Sequence, residues 1–285
     1  MGSAKDIVLR PISAQEANDL VRRVHYSGKV VQNSQLHIGV FYQGKLEGAM
    51  QFGPSLDKRK IQGLVRDTKW HEFIELNRMA FTDVLPRNSE SRALSIAMRL
   101  LRKYAPQVKW VVTFADGTQC GDGTIYRAAG FVLTGLTENK SILELPDGYS
   151  FSLPTVCAQG KKGGEQIRRE VQNRIVSHTT ITKGKHIFNT GSTSIKPYID
   201  GGAKFKEGFQ LRYIYFIDPT YRAKLTVPEL PYSEIERRGA GMYKGKPRGR
   251  GETDSAPQSN EETGGASPTR PLLDSLTGGT PELIN

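Results

Sequence analysis

The chain has 285 residues and a formal net charge of +11, with a sequence pI near 9.6, a length that supports one main domain with a sizeable core. Two cysteines, Cys120 and Cys157, with no Cys-x-x-Cys, exclude a disulfide scaffold and a cysteine zinc site and fit a reducing compartment. No apolar run reaches the roughly 18 residues that span a bilayer, and MGSAKDIVLR lacks the apolar core of a signal peptide, so a soluble intracellular protein with no membrane partner is expected.

IVLRPIS (7–13) reads as a first strand. A helix follows, with Ser13 as N-cap, Glu16 as its capping-box partner and apolar residues at 17, 20, 21 and 24. LHIGVFYQGKLEGAMQFGP (36–54) reads as a hairpin turning at Gln43-Gly44, and FIELNRMAF (73–81) as a strand. SESRALSIAMRLLRKYAP (89–106) is a strong helix, with Asn88 or Ser89 as cap and an apolar stripe from Ala93 to Tyr104. KWVVTFAD reads as a buried strand, GTIYRAAG as a short helix and FVLTGLT as the next strand. Beyond about 150 the pattern loosens into a basic amphipathic helix (164–178) and a strong strand, LRYIYFI. The Gly-, Pro- and Ser-rich stretch from 238 has the composition of a disordered tail.

Charge is unevenly placed. Residues 1–156 carry a net +5 and residues 157–212 a net +7, while the remainder is close to neutral. Lys161, Lys162, Arg168, Arg169, Lys183 and Lys185 suit phosphate contacts with DNA or, equally, a solvated helix face. The densest polar chemistry lies elsewhere, in VVTFADGTQCGDGTIYRAAGF (111–131). A buried strand there runs into a turn holding Asp116, Cys120, Asp122 and Tyr126, and strand ends of this kind are where ligands bind in open α/β sheets.

The element order, together with IYRAAGF, resembles an acyltransferase of the GNAT type, whose last helix closes on Tyr-x-x-x-Gly-Phe. HYSGKVVQNSQLHIGVFYQGKLEGAMQFGPS, EFIELNRMAF, NSESRALSIAMRL and KWVVTFADGTQCGDGTIYRAAGFVLTG together resemble the Mom family of phage DNA modification proteins over roughly residues 20–150. The resemblance implies an α+β, GNAT-like fold with a mixed, mostly antiparallel sheet flanked by helices. A core over 1–156, a basic insertion over 157–208, returning strands over 209–237 and a tail over 238–285 would follow. It implies a transferase acting on the exocyclic N6 of adenine in double-stranded DNA to give a methylcarbamoyl-type (momylated) base that resists restriction. The expected setting is the cytoplasm of a bacterial host, and the donor is acetyl-CoA or another acyl-type molecule. Oligomeric state is left open, a homodimer included. The pyrophosphate loop of the GNAT type carries glycines where this chain reads PRNSESRA. Asn88, Ser89 and Ser91, with Arg87 and Arg92 nearby, would have to replace that backbone cradle.

Individual residues divide between chemistry and architecture. Asp116 is a base, a base-orienting group or a metal ligand, or else an Asx-turn residue serving Gly117-Thr118; Asp122 reads better as an N-cap. The GNAT resemblance puts Tyr126 where a general acid serves the leaving group; its rival is a core tyrosine. His25-Tyr26 ends the first helix, where a histidine complements the helix dipole. Convergence of His25, Tyr26 and Asp116 would make a hard-metal site such as iron. Arg78, on a strand among apolar residues, calls for an anion or a salt bridge to Glu75, and Asn77 shares that stretch. Trp70 and Trp110 are stacking or core residues, with Trp110 favouring core, and His37, His71, His178 and His186 read as ordinary polar residues.

Adenine N6 is a poor nucleophile hidden within the duplex, so such an enzyme must extrude the base and remove a proton from N6 as the new bond forms. Two rivals remain at this point: a conventional acetyltransferase acting on a protein or small amine, and a non-catalytic DNA-binding protein.

Overall fold

In the computed structural model the described residues are 2–157, 162–178, 195–243 and 246–247. Seven strands make the main body: β1 (Val8–Pro11), β2 (Leu36–Tyr42), β3 (Lys45–Gly53), β4 (Phe73–Phe81), β5 (Trp110–Asp116), β6 (Val132–Glu138) and β10 (Phe209–Phe216). They form one sheet in the order β1-β2-β3-β4-β5-β10-β6. The pairs are antiparallel except β4 and β5, which run parallel. This is the α+β, mostly antiparallel architecture expected from the sequence.

Local rules explain why these segments form. Helix α1 (Ala14–Val24) starts at a complete capping box between Ser13 and Glu16 and buries Ala17, Leu20 and Val21 on the sheet. The β2–β3 hairpin turns through Gln43 and Gly44, both at positive φ (49° and 79°), as a two-residue turn matched to strand twist requires. Helix α3 (Ser89–Tyr104) buries Ala93, Leu94, Ala97, Met98 and Leu101, a stripe at helical spacing. It packs with α4 (Thr124–Ala128) on one sheet face, over the largest core cluster, which includes Met50, Phe52, Leu76, Tyr126, Phe131 and Tyr213. On the other face α1 covers Ala49, while α2 (Lys58–Gln62) and residues 219–227 close over Trp110, Val112 and Ile214.

A second apolar cluster lies outside the main sheet. The strands β7 (Ile142–Glu144), β8 (Ser150–Ser152) and β9 (Lys204–Phe205) form a small sheet in the order β8-β7-β9. Helices α5 (Leu153–Cys157), α6 (Lys162–His178) and α7 (Lys196–Asp200) accompany it, and Leu143, Phe151, Val171, Ile175 and Tyr198 fill the space between. This cluster begins near residue 142, ahead of the 157 boundary suggested by charge. Among the described residues no helix is long and apolar enough to cross a membrane.

The feature that positions the site is the parallel pair. β4 and β5 are in register from Phe73↔Trp110 to Glu75↔Val112. Beyond that point β4 follows β3 to Phe81, and β5 follows β10 to Asp116. The strands therefore part, opening a V in the sheet below Glu75. A register shift on β4 leaves Asn77 between the paired residues Leu76 and Arg78, the kind of bulge that re-aims a side chain beside a site.

Candidate active site

The residues singled out from sequence gather at this V. The Tyr26 hydroxyl donates to Asp116 Oδ2 at 3.0 Å, joining the end of α1 to the end of β5. Asp116 also organises its own turn. Its Oδ1 accepts from the backbone N–H groups of Thr118 (3.0 Å) and Gln119 (3.2 Å), and Oδ2 accepts from the Gln119 amide at 3.2 Å. The Asx-turn reading of Asp116 therefore holds, and Tyr26 is an added partner of the same carboxylate.

His25 stacks on Tyr26 with ring centroids 4.3 Å apart. Its Nδ1 accepts from the Ser27 N–H at 3.2 Å and lies 2.9 Å from the Ser27 hydroxyl, which assigns the ring proton to Nε2. Burial, and then the nearby Arg78 guanidinium, lower its pKa to about 4, so the ring is neutral at physiological pH and offers an N–H donor. Burial first, and then the Asp116 charge, push the Tyr26 phenol well above its ordinary range.

Arg78 occupies the β4 side of the V. It pairs in register with Gln51, whose amide donates to Asn18 of α1 at 2.9 Å, so it lies on the α1 face. Its Nε donates to Lys29 O (3.1 Å) and Nη1 to Asn77 O (2.8 Å). The expected alternative, an ion pair with Glu75, does not form: the guanidinium meets backbone carbonyls instead. Glu75 has its carboxyl pushed up by burial, opposed by Ser55, Asn77 and Arg78. Lys29, which lies in the HYSGK string but is not among the site residues expected from sequence, has its ammonium pKa lowered by burial and by Arg78.

Tyr126 comes from the opposite face. It is buried at 8% exposure against Phe131 and Tyr213, with its hydroxyl beside Thr113, and burial raises its pKa. The core-tyrosine reading therefore holds for its ring, while its hydroxyl senses Cys120, Arg78 and Glu75 across the V. Cys120 reaches solvent, yet the protein packed around its thiol first, and then the charges of Asp116 and Glu90 of α3, raise its pKa. Asp122 is not the N-cap: Gly123 holds that place at φ 84°, and Asp122 Oδ1 accepts from Thr124 N–H and Oγ1.

The N-terminus of α3 carries the remaining predicted residues. Asn88 stands at the N-cap in the left-handed region (φ 69°) and makes no capping hydrogen bond. Ser89 is buried at 1% exposure and its hydroxyl has no partner, while Ser91 Oγ donates to Asn88 O at 3.3 Å. Asn88 and Ser91, with Arg87, Arg92, Arg99 and Arg102, line an open cavity of about 950 Å³. Arg92, Arg99 and Arg102 share one exposed helix stripe, a spacing that the sequence displays but that no family motif flags. An uncapped helix start and four guanidinium groups suit a polyanion such as the diphosphate of an acyl-CoA, whereas Ser89 is buried and does not line the cavity. Arg78 does not line this cavity and belongs instead to the Tyr26–Asp116 group.

The three residues expected to hold iron, His25, Tyr26 and Asp116, do converge: the Tyr26 hydroxyl reaches Asp116 and its ring stacks on His25. Ser27 engages His25 Nδ1, which leaves Nε2 as the ring atom that would face a ligand. Among the described residues no group of three or more His, Cys, Asp or Glu assembles as a metal centre.

Trp110 is core, stacked on Phe73 at 4.7 Å with its Nε1 donating to Thr68. Trp70 is half exposed, His37 lies beside Gln51, and His71 is exposed. Lys161, Lys183, Lys185 and His186 fall outside the described residues. Of the tail expected over 238–285, the start is instead packed, with Ala240 and Met242 buried, and the residues from 248 lie outside the described ones. The side chains of Lys162 and His178 are likewise not described. Arg168 donates to Val156 O at 2.9 Å, and Arg169 is exposed.

Residues 6–234 match the Mom protein family. The methylcarbamoylase mom of Escherichia phage Mu is 38% identical over 178 residues, covering 61% of this chain and 72% of that relative. Solved structures are more distant. The spermidine/spermine N-acetyltransferase SpeG from Vibrio cholerae is 7% identical with a TM-score of 0.38, covering 77% of this chain and 98% of its own. A Bacillus subtilis acetyltransferase in complex with CoA is 10% identical with a TM-score of 0.34, covering 74% and 97%.

Proposed function

The chain belongs to the Mom protein family, and from that premise we propose that it is a transferase that modifies phage DNA. The reaction is transfer of a methylcarbamoyl-type group to the exocyclic N6 of an adenine extruded from double-stranded DNA, and the product shields the DNA from restriction. The observation that carries this reading is the Tyr26–Asp116 hydrogen bond at the open end of the V, flanked by Arg78 and a neutral His25.

The two faces divide the work. The α3 cavity, with Arg87, Asn88, Ser91 and Arg92, would hold a CoA-type thioester. A thioester already carrying the methylcarbamoyl-type group would supply an electrophilic carbonyl carbon and a thiolate leaving group. On the α1 face, Asp116 and Tyr26 bind the N6 edge of the adenine. As N6 attacks the carbonyl carbon, its proton passes toward the Asp116 carboxylate, directly or through the Tyr26 hydroxyl. The His25 Nε2–H and the Arg78 guanidinium stabilise the negative charge that develops on the carbonyl oxygen. Tyr126, whose buried phenol retains its proton at neutral pH, would protonate the sulfur that the donor releases. The carboxylate and the two phenols come from different elements because the V is the passage through which the two faces meet.

The test is chemical. DNA from bacteria expressing the chain is digested to nucleosides and analysed by mass spectrometry. A modified deoxyadenosine is expected from the wild type and not from Asp116→Asn; unmodified DNA from soluble wild type, with the host supplying its own thioesters, overturns the proposal.

A further inference from the structure

A second surface, which the mechanism does not use, lies at the closed end of the V, where Phe73 of β4 pairs with Trp110 of β5. The segment leaving β3 runs beside β4: buried Ser55 lies against Glu75, and three residues on Lys58 sits over Phe73, its Nζ 5.4 Å from the ring. Phe73 and Glu75 are two apart on one strand and share a face. Lys58 also stands 4.4 Å over the ring of Trp70, which is 50% exposed, whereas the other tryptophan, Trp110, is fully buried.

Around this pair are Arg59, Lys60, Arg66 and Lys69, all exposed. Arg59 and Arg66 line the same shallow depression of about 380 Å³. The only two carboxylates among residues 56–71 are Asp57 and Asp67. Asp57 is engaged at the start of α2, where it accepts from the Lys60 N–H at 3.3 Å. Glu72, just beyond, is occupied by the Lys69 backbone N–H at 2.7 Å and the Tyr221 hydroxyl at 3.1 Å. None of the five cations forms an ion pair among the described residues. This sets them apart from three cations of the smaller sheet and its helices: Arg174 pairs with Asp147 and Glu170, Lys196 with Asp200, and Lys206 with Glu144. A cation already neutralised by a carboxylate gains little from a phosphate, whereas an unpaired one releases nothing but solvent and counterions.

We propose that Lys58, Arg59, Lys60, Arg66 and Lys69, with Trp70, form the seat for the phosphate backbone of the DNA duplex flanking the extruded adenine. The cations neutralise consecutive phosphates, and the exposed indole gives apolar contact to the deoxyribose between them. The inference rests on the DNA-modifying reading and adds to it the surface on which the duplex lies. α2 and its following turn, rather than the basic helix α6, then set the register of the DNA on the enzyme.

The test uses the full chain and a fluorescein-labelled duplex, with affinity read by anisotropy between about 50 and 200 mM salt, a range over which phosphate neutralisation is resolved. Arg59→Gln/Lys60→Gln/Arg66→Gln is expected to reduce the slope of log affinity against log salt by about two to three, roughly 0.9 for each phosphate no longer neutralised. Trp70→Ala is expected to weaken binding several-fold and leave the slope as in wild type. Acrylamide quenching of wild-type tryptophan fluorescence supplies a readout with no substitution: Trp70 is the exposed indole, and duplex is expected to shield it. A triple variant that keeps the wild-type slope, or quenching that duplex leaves unchanged, overturns the proposed surface while wild-type binding leaves the DNA reading standing. Failure of the wild type to bind duplex at the lowest salt overturns both together.

Discussion

The hydroxyl of Tyr26 and the carboxylate of Asp116, 90 positions apart in the chain, are joined by a hydrogen bond of 3.0 Å. That bond ties the loop after α1 to the tip of β5: the carboxylate accepts, and the phenol keeps its proton because partial burial and the adjacent charge oppose its loss. A proton acceptor and an adjustable donor are thereby held together at the mouth of the V.

Asp116→Asn keeps the shape of the turn but replaces the carboxylate acceptor with an amide. Loss of a general base of this kind is expected to lower the rate of adenine modification by about 10²–10⁴-fold, with Tyr26→Phe lowering it less. Single-turnover measurements on duplex DNA read both. Equal activity in Asp116→Asn and wild type would remove Asp116 from the chemistry.

The pKa of His25 is lowered from 6.5 to about 4 by burial and Arg78. Between those two values the unfolded chain carries a proton that the folded chain does not, so stability rises with pH across this window. The contribution is complete above pH 6.5 and lost as pH falls through about 4. On the order of 1–3 kcal/mol is involved. His25→Asn is expected to flatten this dependence, measured as urea midpoints across the window. An unchanged slope in the variant would show that His25 is already solvated.

Ser89 separates donor binding from folding. Its buried hydroxyl has no partner, a state that opposes folding by about 1–3 kcal/mol. Ser89→Ala is expected to leave the thermal midpoint unchanged or raised and, since Ser89 does not line the α3 cavity, to leave CoA binding as in wild type. Calorimetric titration of CoA and a thermal melt of the same sample read the two effects independently.

Gly123 holds the start of α4 at φ 84°, and a Cβ there would fall 2.5 Å from the Tyr213 ring. Gly123→Ala is expected to destabilise the chain by more than about 1 kcal/mol, since both the backbone and the space exclude a side chain. Because Tyr126 lies three residues on, the same change should lower activity. Urea unfolding and the modification assay, run in parallel, report the two losses.

Much of this architecture is legible in the residues. The capping box at Ser13 and Glu16, the turn at Gln43-Gly44, the strand FIELNRMAF and the apolar stripe of α3 are local patterns, and each forms where its period and caps place it. α2 and the small sheet β7–β9 leave no comparable signal, because five helical residues and strands of two or three are too short for a period to show. The capping place expected of Asp122 goes to Gly123, the adjacent residue able to adopt the left-handed conformation.

The sequence by itself determined which groups were available: a carboxylate in a turn after a buried strand, a His-Tyr pair ending a helix, an arginine inside a strand, and serines without glycines at the start of α3. Only the tertiary structure decided how they combine. Whether Tyr26 reached Asp116 depended on α1 docking over the V, and that V exists because a parallel pair is flanked by antiparallel partners that draw β4 and β5 apart. Arg78 met carbonyls and not Glu75 because the bulge at Asn77 re-aimed it. Side-chain chemistry is written residue by residue, but proximity between distant residues is fixed by packing and register, which only the folded chain defines.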